Sequence, residues 1–255
     1  MFIDAHCHLD HPYFEDKIKD VVLRAEKASV SKILTNGVDP MTNRLALGYS
    51  EQFKPVECCL GIFPPDNMKL EAERLGRHYE DFSVDDEIKW ISKQKFVAVG
   101  EVGMDFKGEH DAGMQEEVFV KMIKMAQKLD KPVIVHSRKA EKACIELLEK
   151  LECKKVVMHC FSGKKNLVKQ IAENKWMMTV PTCVVRSEQF QSLVRNVDIN
   201  QLLCETDAPF LTPYPGKQNE PAFVVEAYEK IAELKGMVVE EVKKNVFVNF
   251  GKFFG

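Results

Sequence analysis

The chain has no apolar run approaching the ~18 residues that a membrane-spanning helix requires. Its first residues carry neither a basic n-region nor an apolar h-region, so no secretory signal is expected and a cytoplasmic location is. Charge of one sign is lacking too. Lys and Arg number 36, Asp and Glu 39, and a net charge of −3 exerts no long-range pull on nucleic acid or anionic membrane. A nucleic-acid partner would have to be held by a local basic cluster. No two of the 8 cysteines form a C-x-x-C motif, and most lie in apolar segments, where a thiol behaves as a small hydrophobe. A reduced protein without disulfides is expected. No G-x-G-x-x-G follows the first apolar segment, which weighs against a nucleotide-binding doubly wound sheet. Low-complexity stretches, linkers and strong internal repeats are also missing.

What is present is a rhythm. Short β-rich segments recur as FIDAH, SKILTNG, PVECCLG, FVAVGEVG, PVIVH, KVVMH, KWMMTV and QLLCETD. Helical stripes lie between them: Ile18, Val21, Val22 and Ala25; Val118, Met122, Met125, Ala126 and Leu129; Val225, Tyr228, Ile231 and Ala232. Alternation of strand and helix implies a parallel sheet. Eight such units in 255 residues, 45% hydrophobic and 29% charged, fit an α/β fold, a single (β/α)8 TIM barrel spanning residues 1–255. An extra C-terminal helix is expected to pack Val246, Phe247, Phe250 and Phe254 on the barrel wall. Two segments break the rhythm: residues 61–82, after the third strand, and residues 106–115, after the fourth. In a barrel both lie on the face where active sites are built.

Chemistry gathers at the strand ends. In MFIDAHCHLD, His6 and His8 share one strand face with Asp4, and Cys7 points the other way. There are only 7 histidines, and His136 and His159 each close an apolar strand. Glu101 closes another, and Glu205 with Asp207 a fifth. Ligand-type side chains are costly in strand interiors unless partnered. His6, His8, Glu101, His136, His159 and Asp207 therefore form a candidate metal site. Six ligands exceed the need of one catalytic ion with an open position. Two divalent ions per chain are expected, Mg2+, Mn2+ or Zn2+. His6, His8 and Asp207 are assigned to one ion, His136 and His159 to the other, and Glu101 bridges them.

The motifs DAHCHLD, GEVGMD, VHSR, HCFSG and ETDAPFL, in this order, resemble those of the TatD family of metal-dependent deoxyribonucleases, within the wider metal-dependent amidohydrolase superfamily. QNEP at residues 218–221 resembles the family's R-N-E-P stretch. The resemblance implies a TIM barrel, a two-metal centre on the six residues named above, and hydrolysis of phosphodiester bonds in DNA, with Asp207 and Glu101 as the catalytic carboxylates. Two departures stand out. Phe63 occupies the histidine position of the family's G-x-H-P turn, and Gln218 replaces the arginine of R-N-E-P, with Lys217 beside it. Both bear on how substrate is held and leave the metal set intact.

Among the neighbours, Asp4 and Glu205 are expected to steady ligands or water. Arg138, Lys164 and Lys165 are candidates to clamp a phosphate on the active-site face, although the two lysines equally suit a solvated helix start. Asp105 either supports a ligand or caps the next loop. His78 and His110 read as ordinary loop histidines. Aromatic residues between Phe63 and Phe82 could stack an unpaired base, favouring single strands or ends as the DNA substrate. Neither a membrane nor an obligate protein partner is expected, and the chain is read as a monomer. The alternative is an amidohydrolase or esterase, including ester hydrolysis of the D-aminoacyl-tRNA deacylase kind. Superfamily members of that type often bridge their metals with a modified lysine, whereas the fourth strand here offers Glu101.

Overall fold

A computed structural model describes every residue of the chain except His78, which lies outside the described residues. Eight strands alternate with helices: β1 Phe2–Cys7, β2 Val30–Asn36, β3 Val56–Leu60, β4 Ala98–Gly103, β5 Val133–His136, β6 Val156–Met158, β7 Met177–Pro181 and β8 Leu202–Glu205. All pair in parallel in sequence order. The two ends of this ladder are joined just past the strands, where Asp207 N donates to His6 O at 2.9 Å and His8 N to Ala208 O at 2.8 Å. The barrel thus closes beside three of the expected metal ligands, His6, His8 and Asp207.

The strands are buried on both faces, as parallel strands covered by helices must be. The helices are α1 Ile18–Lys27, α2 Pro40–Gln52, α3 Pro65–Arg74, α4 Val84–Ile91, α5 Ala112–Lys128, α6 Glu141–Lys150, α7 Lys165–Glu173, α8 Glu188–Asn196, α9 Val224–Lys235 and α10 Val239–Phe254. The apolar stripe of α1 is buried as its spacing predicts, and α5 buries Val118, Met122, Met125 and Ala126. In α9 the buried stripe includes Val224, with Val225 half-buried beside it.

α10 corrects one expectation. It buries Val242, Val246, Asn249 and Phe250, while Phe247 is 55% exposed. Residue 247 is only one position from Val246, a rotation of about 100° on the helix, which turns it out of the buried stripe.

The insertion after β3 is ordered by polar contacts. α3 is tied to the end of β4 by Asn67 Nδ2, which donates to Asp105 O at 3.1 Å. Gln115 Nε2 reaches both Asp105 O and Asp66 Oδ1, at 3.0 and 2.7 Å. At the end of β4, Gly103 has φ +142°, and a Cβ there would sit 2.0 Å from His136 O. Only glycine allows this approach of β4 to β5, which brings Glu101 and His136 together. Among the described residues, no helix is long and apolar enough to cross a membrane.

Candidate metal centre

The strand termini bring all six expected ligands into one cluster at the C-terminal mouth of the barrel. Glu101 is its centre. Its Oε2 lies 3.4 Å from His6 Nε2 and 3.3 Å from His8 Nε2, while its Oε1 lies 2.7 Å from His136 Nδ1 and 3.7 Å from His159 Nε2. The two oxygens of one carboxylate therefore face two different pairs of imidazoles. Asp207 Oδ1 stands 3.7 Å from His6 Nε2 and 3.5 Å from His8 Nε2. His6, His8 and Asp207 converge as one group of donor atoms, and Glu101, His136 and His159 as another. A third convergence joins His6 and His159 to Glu205.

Three of the four rings are oriented from behind. His8 Nδ1 lies 3.2 Å from Asn36 O, His159 Nδ1 lies 2.8 Å from Glu205 Oε2, and His136 Nε2 lies 3.1 Å from Asp105 Oδ2. An N–H directed outward to an oxygen leaves the inner nitrogen as a lone pair. His136 is thus turned opposite to the other three, with Nδ1 inward. The inner Nε2 atoms of His6 and His8 approach to 3.3 Å, and His6 Nδ1 is buried without a partner. Converging lone pairs of this kind need a cation between them, and the mixed imidazole and carboxylate donors suit a divalent transition metal.

Without a metal, the carboxylates and imidazoles neutralise one another. Burial pushes the Glu101 carboxyl up, but hydrogen bonds from His136, His6 and His8 overcome this and hold it well below the usual range. Burial works against the charged His159 as well, yet Glu205 beside it, with Glu101 and Asp207, carries its pKa up to about 9. In His6 burial prevails, with His159 adding to it, and its pKa is lowered.

The neighbours divide. Among the described residues, Asp4 has no hydrogen bond to a ligand side chain; it takes one from His6 N at 3.4 Å. It accepts from Thr206 N at 2.8 Å and Thr206 Oγ1 at 2.6 Å, fixing the turn in which Asp207 adopts φ +54°. Glu205 supports His159 directly and also accepts from Cys160 N at 3.1 Å. Asp105 fulfils both of its expected roles, holding His136 and accepting from Lys107 N at 2.9 Å. Its Oδ2 also takes two bonds from Arg138, at 2.8 and 2.5 Å. Arg138 lines the cavity over the cluster, already paired.

Lys164 and Lys165 do not line that cavity; they border a separate depression between α7 and α8. After β6 the turn through Phe161 and Gly163 carries the chain outward before α7 begins at Lys165. Phe63 lies edge-on to the His136 ring, with centroids 4.7 Å apart. Gln218 and Lys217 do not line the cavity either. Its volume is about 420 Å³, and it is walled by Phe63, Arg74, Arg77, Arg138 and Phe210 above the metal cluster. Arg74 and Arg77 escaped the sequence reading. The only signal for them was the length of the insertion that carries them.

The family model for TatD related DNases matches residues 3–255. The chain is 33% identical over 254 residues to the uncharacterized metal-dependent hydrolase MJ1582 of Methanocaldococcus jannaschii, covering 99% of this chain and 96% of that protein. It is 32% identical over 259 residues to the deoxyribonuclease TATDN3 of Homo sapiens, covering 99% and 94%. The crystal structure of YJJV, a TatD homolog from Escherichia coli K12, superposes with a TM-score of 0.87 at 25% identity, covering 99% and 97%. With the family's match running through every strand that supplies the cluster, the chain belongs to the TatD family and is a metal-dependent hydrolase.

Proposed function

We propose that this hydrolase is a deoxyribonuclease that cleaves phosphodiester bonds at two divalent ions. His6, His8 and Asp207 would hold one, His136 and His159 the other, and Glu101 both. One observation carries this assignment: the Glu101 oxygens address separate imidazole pairs, with Oε2 at 3.4 and 3.3 Å and Oε1 at 2.7 and 3.7 Å. When bound, such ions supply Lewis acidity toward a phosphoryl oxygen and make water acidic near neutral pH.

The protein's own side chains account for the rest. Asp207 lies at the cavity floor as a carboxylate: burial opposes its ionisation, but a hydrogen bond from His8 and the charge of His159 lower its pKa. In this reading it would orient the attacking water and take its proton as the water oxygen bonds to phosphorus and the ester oxygen departs. Glu205 and Asp105 keep His159 and His136 in the required tautomers. The guanidinium groups of Arg77 and Arg138 suit phosphate, and the exposed ring of Phe210 suits a base. Eight free thiols suit a reducing, cytoplasmic setting.

The test is incubation of the purified protein with end-labelled single- and double-stranded DNA in Mg2+, Mn2+ or Zn2+, beside small carboxylic esters and an aminoacyl-tRNA ester. Metal-dependent strand cleavage is expected. Turnover of the esters with intact DNA would replace the nuclease with the esterase alternative.

A further inference from the structure

Three guanidinium groups line the cavity above the metal cluster, and they are not equivalent. Arg138 is occupied by its two bonds to Asp105. Arg74 stands at the exposed rim, 3.6 Å from Glu71. Arg77 is different. Its side chain is only 12% exposed, and its Nε and Nη1 are buried with no hydrogen-bond partner among the described residues. The nearest carboxylate is no substitute. Asp39 Oδ1 is engaged by Thr42, and Asp39 Oδ2 is 3.7 Å from Arg77 Nη2, outside hydrogen-bond reach.

This placement is built into the backbone. Gly76 adopts φ +65° after α3, and Arg77 N donates to Ala72 O at 2.8 Å, so the chain reverses and lays Arg77 against the cavity. A buried guanidinium with unused donors in a fixed fork is costly unless an anion arrives to accept from them. Arg77 lines the same cavity as His8, Glu101, His136, His159 and Asp207.

We propose that Arg77 seats a second phosphate of the bound strand, adjacent to the phosphate being hydrolysed. This rests on the nuclease reading, and it adds a requirement: the preferred substrate carries a phosphate on each side of the nucleoside at the scissile bond. Guanidinium is suited to this because its fork matches two phosphate oxygens.

The test is isothermal titration calorimetry of the metal-loaded protein with thymidine 5′-monophosphate and with thymidine 3′,5′-bisphosphate. Wild type is expected to bind the bisphosphate about tenfold more tightly. Arg77→Gln should bring the two ligands within about twofold, Arg77→Lys should recover part of the difference, and Arg74→Gln should keep it. Equal binding of both ligands by wild type overturns the proposal without any variant, even if Arg77→Gln fails to fold. A preference retained in folded Arg77→Gln overturns it as well. Strand cleavage is measured in parallel. Cleavage without an Arg77-dependent preference defeats the phosphate seat alone. An Arg77-dependent preference without cleavage defeats the nuclease reading and leaves Arg77 as the phosphate site of a different hydrolase.

Discussion

Glu205→Gln isolates the support behind one ligand. Glu205 is fully buried, with Oε2 2.8 Å from His159 Nδ1 and Oε1 accepting from Cys160 N at 3.1 Å. Both neighbours are donors when His159 turns a lone pair toward the cluster. A carboxylate satisfies both, but a glutamine has one oxygen and one NH2, so one donor must face another. The cost combines the loss of a charge-assisted bond with a buried donor left unpaired, about 1.5–3 kcal/mol. Outer partners of metal-binding histidines typically contribute 10–100-fold in metal affinity, which is about 1.4–2.7 kcal/mol and agrees with that figure. Competitive titration of Zn2+ against a chromophoric chelator should therefore show ~10–100-fold weaker binding in Glu205→Gln. The melting temperature of the metal-free protein should fall by several degrees, at ~2–4 °C per kcal/mol for a chain of this size. Metal affinity within about twofold of wild type, with an unchanged melting temperature, would refute the reasoning.

Other outcomes follow from the same geometry. Asp207→Asn keeps the side-chain shape but loses charge and basicity, so turnover should be abolished while an oligonucleotide still binds; near-wild-type turnover would remove Asp207 from proton transfer. Cys7 is fully buried, with Sγ donating to Leu34 O at 3.4 Å, away from the cluster. Cys7→Ala should cost about 1 kcal/mol in urea unfolding and leave metal content unchanged, and lost metal would contradict this orientation. Burial, with the charges of His8 and Arg77, depresses the His11 pKa to about 4. Its contribution to stability is then fully present above the unfolded value near 6.5 and is lost as pH falls through 4. The ring is only half-buried, so the effect is ~1 kcal/mol after solvent screening. His11→Asn keeps an acceptor for Tyr13 N and should flatten this part of the acid-side slope; an unchanged slope counts against the assignment.

The barrel and the cluster were legible in the sequence for one physical reason. A parallel strand is a short apolar run, and a His, Asp or Glu closing it stands out against that background, as His136 does after Val133–Val135. Parallel topology then brings the closing residues to one face without any knowledge of the loops. What was not legible depends on loop paths and on pairing. Arg138 follows His136 closely, but its bond to Asp105 across the β4–β5 gap has no local signature. Lys164 and Lys165 follow His159 closely too, yet the turn before α7 carries them away from the cavity. Arg77 lies far in sequence from any ligand and reaches the cavity only through the reversal at Gly76. Phe247 follows Val246 directly, and the helical angle between neighbours turns it to solvent.

The most direct measurement of the central claim is a crystal structure of the metal-loaded protein with anomalous diffraction at the absorption edge of the metal. Two peaks ~3.5–4 Å apart are predicted, with one Glu101 oxygen on each, His6, His8 and Asp207 on the first and His136 and His159 on the second. A single peak, or two ions neither of which is bound by Glu101, would contradict the account.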